Sequence, residues 1–348
     1  MNLPHRKTGF AGQLIAWHAQ HGRHDLPWQN TTDAYRIWLS EIMLQQTQVA
    51  TVIPYYLRFL ERFPDIRALA AAPVDGVMAL WSGLGYYARA RNLHACARAV
   101  VAQHDGMFPR DAAAIAELPG IGRSTAAAIA VFAHGMRGAI LDGNVKRVLA
   151  RRFGIEGFPG DRAVENRLWK LAESLLPSED IETYTQALMD LGATVCTRGK
   201  PDCVRCPVHG DCIALKQGRV GELPGPRPCK ALPRRTARYL ILRHEDRVLF
   251  EQRPPSGIWG GLLCLPELQI DDDPRHVARL RYACTIDSAE AQPPLTHGFT
   301  HFTLTLQPLT CRVTRIEPHA AQPGLQWLAL DRLDRAALPA PIRKLLMR

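Results

Sequence analysis

Up to about Arg219 the apolar residues recur at steps of three and four, with glycine and proline at the joints. That pattern predicts helix after helix. The clearest segments are Thr32–Leu44, Tyr87–His104, Ser124–Ala133, Val145–Phe153, Ala163–Leu176 and Ile181–Val195. Between Glu222 and Arg235 the pattern breaks: Pro224, Pro226, Pro228 and Pro233 alternate with Arg and Lys, as in a semi-rigid basic linker. Beyond it the period drops to two. Tyr239 and Ile241, then Val248 and Phe250, predict a hairpin turning at His244–Asp246. Phe302, Leu304 and Leu306 alternate with His301, Thr303 and Thr305 as a half-buried strand, and Pro341–Leu346 reads as a closing helix. The expected architecture is an α+β chain of two domains, all-α over residues 1–221 and α+β over 236–348, with a linker over 222–235.

A length of 348 residues is enough for two separate cores. The formal net charge of +10 favours a polyanionic partner, nucleic acid above all. Nine cysteines in no extracellular pairing pattern point to a reducing interior. Met1–Gly12 lacks an apolar stretch of signal-peptide length and no run approaches a membrane span. The expectation is a soluble, cytoplasmic, nucleoid-associated protein of the bacterial type, monomeric and with no membrane contact.

Four of the cysteines fall close together. Cys196, Cys203, Cys206 and Cys212 are spaced C-x6-C-x2-C-x5-C, with Pro201 and Pro207 stiffening the loop over 196–212. Zinc sites usually show two short Cys or His pairs, and only one is present here. An uneven run with one C-x2-C and a following proline suits a [4Fe-4S] cluster better. Zinc and four unrelated thiols remain the alternatives. Arg198, Lys200 and Arg205 make the loop a phosphate-facing candidate.

Leu118–Ala126 joins two helices through a glycine hairpin. Gly120 and Gly122 can adopt positive φ, and their missing side chains open the backbone amides to a ligand. Amides at a helix start form an anion site that could hold a DNA phosphate without reading sequence. The bland alternative is an ordinary turn.

Two carboxylates then carry candidate chemistry. In Thr31–Thr47, residues Ala34, Ile37, Trp38, Glu41, Ile42 and Gln45 share one helical face, so Glu41 interrupts an apolar stripe. Removal from water raises a carboxyl pKa, as a general acid at neutral pH requires; the alternative is a structural Glu paired with Arg. Asp142, in Leu141–Arg147, precedes a helix and is either a cap or an anion held ionised by the helix dipole. A protonated acid beside an ionised carboxylate is the pairing that breaks glycosidic bonds.

Taken in order, Trp38–Gln48, Gly83–Arg89, the glycine hairpin, Leu141–Arg147 and the four-cysteine loop resemble the MutY-type adenine DNA glycosylases of the helix-hairpin-helix superfamily. The resemblance covers nearly the whole first domain. It implies a six-helix-barrel module facing a cluster-bearing helical module, with DNA between them. The implied substrate is double-stranded DNA containing adenine opposite 8-oxoguanine or guanine. It further implies that Glu41 protonates adenine, that Asp142 stabilises or traps the oxocarbenium-like sugar, and that Asn144 positions Asp142. Base chemistry within a duplex requires flipping. Gln46 and Tyr86 would fill the gap and Trp28 would line the same region, core packing being the alternative for both aromatics. Ser124 stands where the related endonuclease III-like lyases carry Lys. A Schiff base needs an amine, so a monofunctional glycosylase is expected, with a lyase on oxidised pyrimidines as the alternative.

The second domain resembles a Nudix fold through its hairpin, the Arg253–Gly261 stretch and the later strands, but lacks the Glu-rich metal-binding helix motif. In the MutY-type enzymes the corresponding domain reads 8-oxoguanine through a Phe-Ser-His loop. Here Phe299, Thr300 and His301 occupy it, and Thr300 keeps the hydroxyl.

Overall fold

The structure is a computed structural model describing residues 9–228, 231–254, 257–317 and 324–347. Met1–Thr8, Cys229 and Pro255, which entered the reading above, lie outside the described residues. The chain forms two compact units, one of residues 1–71 with 92–229 and the other of 72–91 with 230–348.

The first unit is helical. Helices at Phe10–His21, Arg123–His134, Gly143–Phe153, Arg162–Ser174 and Ile181–Asp190 bury Leu14, Val131, Val145, Leu149, Leu168 and Leu188 in one core. The helix at Ala34–Leu44 starts two residues later than the periodicity suggests. Asp33 is its cap and accepts the Tyr35 N–H at 2.9 Å, which leaves Thr32 outside. This helix buries Ile37, Trp38, Leu39, Ile42 and Met43, so burial wraps most of its circumference. A second departure lies at the end of the helix expected over Ile181–Val195. The α-helix stops at Asp190, and Leu191–Val195 form a π-helical turn. Such wide turns recur at functional sites.

The second unit is an α+β layer. Its strands are β1 (Arg234–His244), β2 (Arg247–Gln252), β3 (Leu263–Cys264), β4 (Glu267–Leu268), β5 (Cys284–Ala291), β6 (Leu295–Gly298), β7 (Thr303–Ile316) and β8 (Leu325–Ala329). The main sheet runs β3-β2-β1-β7-β5, with β4 on β1, β6 on β7 and β8 on β2. The β1–β2 hairpin turns at Glu245–Asp246, as the alternation predicts. β1 and β7 pair in parallel, Arg234 opposite Thr303 through Arg243 opposite Arg312. Leu304 and Leu306 point inward. The helix at Pro274–Tyr282 contributes Val277 and Tyr282 to the core beside Leu240, Leu249 and Ile286.

β1 begins inside the stretch that reads as linker. The sequence also places residues 72–91 in the first domain, whereas the structure packs them within the second unit. There Arg91 Nη1 donates to the Gly260 carbonyl at 2.6 Å, Tyr87 Oη to that of Leu338 at 3.3 Å, and Arg343 Nη2 to Ser82 Oγ at 3.2 Å.

Candidate active site

A cavity of about 1310 Å³ opens in the helical unit, and Trp28, Glu41, Ser124, Asp142 and Asn144 all line it. The two carboxylates arrive by different routes. Glu41 comes from the middle of the Ala34–Leu44 helix, between buried Ser40 and Ile42. It keeps a partial opening to the cavity, yet burial first, and the charge of Asp142 second, push its carboxyl up to about 7. The apolar stripe that Glu41 interrupts is what produces that shift.

Asp142 is both a cap and a cavity residue. As N-cap of Gly143–Phe153 it accepts the Val145 N–H at 2.7 Å. Burial raises its pKa, and the opposing influences are hydrogen bonds from the Val145 and Asn144 amides, the Arg147 charge and the Asn144 side chain. Glu41 receives no such donors among the causes of its shift. Both carboxyls are thus raised by burial, and of the two only Asp142 has hydrogen-bond donors that favour its charged form against it.

Asn144 Nδ2 donates to Asp142 Oδ2 at 3.3 Å, and Asn144 Oδ1 accepts from Arg147 Nη2 at 2.7 Å. Arg147 also donates to the Gly192 carbonyl at 2.6 Å and to the Cys196 carbonyl at 2.7 Å. Gly192 sits in the π-helical turn so close to Asn144 that a Cβ there would lie 2.6 Å from Asn144 Cβ. Ser124 Oγ accepts the Leu141 N–H at 2.9 Å, tying the start of its helix to the residue before Asp142.

In the glycine hairpin, Gly120 has φ 76°, and an added Cβ would collide with Asn92 Cβ at 2.5 Å. Gly122 corrects the expectation of two left-handed glycines. Its φ is −93°, in the extended range, and an added Cβ would meet nothing within 4 Å. What Gly122 contributes is open space beside a helix start that no side chain caps.

Gln46 lies between the lining residues Gln45 and Thr47, exposed and at φ 57°. Trp28 is 9% exposed, packs edge-on against Tyr56 at 5.4 Å, and lines the cavity. Tyr86 belongs to the second unit, where φ is 49° and the ring is 49% exposed with the Arg89 guanidinium 5.6 Å away. Thr300 and His301 are exposed at a turn of that same unit.

The four cysteines Cys196, Cys203, Cys206 and Cys212 line one small cavity with Arg151, Val195, Pro201 and Leu215. Arg151, 3% exposed, fastens this loop by donating to the Thr197 carbonyl at 2.7 Å and to Cys196 Sγ at 3.4 Å. Among the described residues, no three His, Cys, Asp or Glu side chains are gathered to hold a single metal ion. Four thiols walling one shared cavity make a donor set that an iron–sulfur group would fit.

The sequence reading missed part of the cavity wall. His18, Arg23, His24, Gln29 and Gln186 line it. Fully buried Asp190 organises that wall, accepting from Arg23 Nη2 at 2.6 Å and from Gln186 Nε2 at 2.8 Å. Arg23 and Asp190 are 167 positions apart, so no local pattern announces them. Arg147 was nearer to hand, one helical turn after Asn144 in a segment already singled out.

Fold and site together define a helix-hairpin-helix base-excision repair protein carrying a Nudix-type second domain. The HhH-GPD superfamily of base excision DNA repair proteins matches over residues 39–174 and the NUDIX domain over 238–348. The chain belongs to the adenine DNA glycosylase family. It is 36% identical to the adenine DNA glycosylase of Buchnera aphidicola subsp. Acyrthosiphon pisum, over 97% of this chain and 96% of that one. To the mouse adenine DNA glycosylase it is 34% identical, over 97% of this chain and 77% of that one. Among solved structures, a thermostable thymine-DNA glycosylase superposes with a TM-score of 0.55 at 30% identity, covering 60% of this chain and 95% of that one. Among the described residues no helix is long and apolar enough to cross a membrane.

Proposed function

We propose that this enzyme is a monofunctional, monomeric glycosylase that removes adenine paired with 8-oxoguanine or guanine in double-stranded DNA. The observation that carries the reading is the meeting of Glu41, its carboxyl raised to about 7, and the hydrogen-bonded Asp142 in one cavity. Glu41 donates its proton to a ring nitrogen of the flipped adenine. The electrons of the C1′–N9 bond then leave with the base. Asp142 stabilises the positive charge developing at C1′, and water supplies the hydroxyl that completes hydrolysis, its proton passing to a carboxylate. Ser124 offers no amine for a Schiff base, and its hydroxyl is engaged with the Leu141 amide.

Gly120, Gly122 and the uncapped helix start hold a phosphate, while Gln46, Tyr86 and Trp28 contact the duplex and the displaced base. Thr300 and His301 read the oxidised partner. Cys196, Cys203, Cys206 and Cys212 hold a [4Fe-4S] cluster, which stiffens the loop. The purified protein should contain about four irons and four sulfides per chain. Iron and acid-labile sulfide assays check this, and one zinc per chain in their place would contradict it.

The substrate reading is tested by chromatography of the free bases released from three duplexes. These place adenine opposite 8-oxoguanine, adenine opposite guanine, and thymine glycol opposite adenine. Adenine should be freed from the first two and no thymine glycol from the third. The reverse would make the enzyme a lyase-type glycosylase for oxidised pyrimidines.

Gly192→Ala tests the packing beneath the site. The added methyl has to displace Asn144, which holds Asp142. We expect a stability loss of about 1–3 kcal/mol from overpacking and a fall in single-turnover rate of about 10²-fold from the misplaced carboxylate. Thermal melts and rate measurements on one preparation separate the two effects.

A further inference from the structure

Thr300 and His301 are exposed, so what fixes them has to come from the residues on either side. The turn is closed by the Phe299 N–H donating to the Phe302 carbonyl at 2.8 Å, and below it the two phenyl rings stack at 4.5 Å and 17°. Beyond Phe299 the rings continue: His297 stands perpendicular to it at 4.8 Å and Trp259 lies 5.7 Å away. Trp259 also faces Tyr239 of β1 at 6.4 Å. On the other side, Arg235 of β1 holds its guanidinium 4.7 Å over Phe302.

Trp259 is held at a cost. Its φ is 55°, in the left-handed region that bulky residues avoid, and it is 9% exposed. Such strain persists only where the surroundings over-determine it. Here Leu262 N–H donates to the Trp259 carbonyl at 3.0 Å, and Arg91 grips the next residue, Gly260. The strained backbone delivers the indole to the base of the turn.

From this geometry we infer that Trp259 and Arg235 are positioning residues for discrimination between oxidised and normal guanine, clamping the Phe299–Phe302 turn from its two ends. The inference rests on the proposed reading that Thr300 and His301 meet the 8-oxoguanine. The two bases differ by one oxygen and one N–H, so telling them apart needs donors and acceptors placed to a few tenths of an ångström. Two exposed side chains on a lone turn lack that placement; a ring ladder capped by a cation supplies it.

The test is the ratio of single-turnover adenine-release rates on 8-oxoguanine·adenine and guanine·adenine duplexes. Unfolding lowers both rates alike and leaves the ratio unmoved. Arg235→Gln should lower the ratio by about three- to fivefold, with Arg235→Lys retaining most of it. Trp259→Leu should lower it by about tenfold or more. Arg235 is exposed, so its variants carry the test if the tryptophan variant does not fold. If Thr300→Ala with His301→Ala collapses the ratio while the Arg235 and Trp259 variants keep it within twofold, the clamp is overturned and the recognition reading stands. If the Thr300 and His301 variants leave the ratio intact, the recognition reading fails, and the clamp with it.

Discussion

Glu41→Gln should lower the single-turnover rate of adenine release by about 10²- to 10⁴-fold, the usual worth of a positioned general acid. Binding to the mispaired duplex should be retained, because the amide occupies the volume of the carboxyl. The pH dependence has a fixed sign. A carboxyl raised to about 7 carries its proton below that value and loses it above. The wild-type rate should therefore fall as pH rises through 7. The glutamine variant has no such proton, so its residual rate should lack the fall. Two titrations run side by side, with duplex affinity measured by anisotropy, check the whole statement. A glutamine variant that keeps both rate and pH profile would leave Glu41 a structural residue.

Asp142→Asn separates the two roles that the structure gives to one side chain. Asparagine is as good an N-cap as aspartate, so its carbonyl oxygen can still accept the Val145 N–H. The cap survives and the charge goes. The thermal midpoint should move little, while the rate falls by about 10³-fold, as when a preorganised electrostatic partner of a transition state is removed. A lowered melting point with an undiminished rate would mean that the residue only caps its helix.

Much of this arrangement is legible in the chain, and the illegible parts share a physical cause. Glu41 stands out because a carboxylate on an apolar helical face violates a local rule. Asp142 is visible because caps occur at predictable places. The helices that begin at Ala34, Ala88, Arg123, Gly143, Arg162 and Ile181 follow from spacing, as does the β1–β2 hairpin. The π-helical turn at Leu191–Val195 does not, since its apolar residues keep helical spacing and the packing of Gly192 on Asn144 within it is a long-range contact. Long-range partners are equally silent. Asp190 with Arg23, Arg91 with Gly260, and the parallel pairing of β1 with β7 join residues that no local window contains. Gly122 shows the reverse error. A motif allows two left-handed glycines, and only Gly120, which also packs against Asn92, adopts that conformation.

The enzyme is expected to hydrolyse adenine's glycosidic bond without cleaving the strand. The most direct test is a single-turnover incubation with an 8-oxoguanine·adenine duplex labelled on the adenine strand, each time point divided and analysed with and without hot alkali. Breaks that appear only after alkali are the expected result. Breaks without alkali would assign a lyase step to the enzyme, and no breaks in either half from folded protein would contradict adenine removal itself.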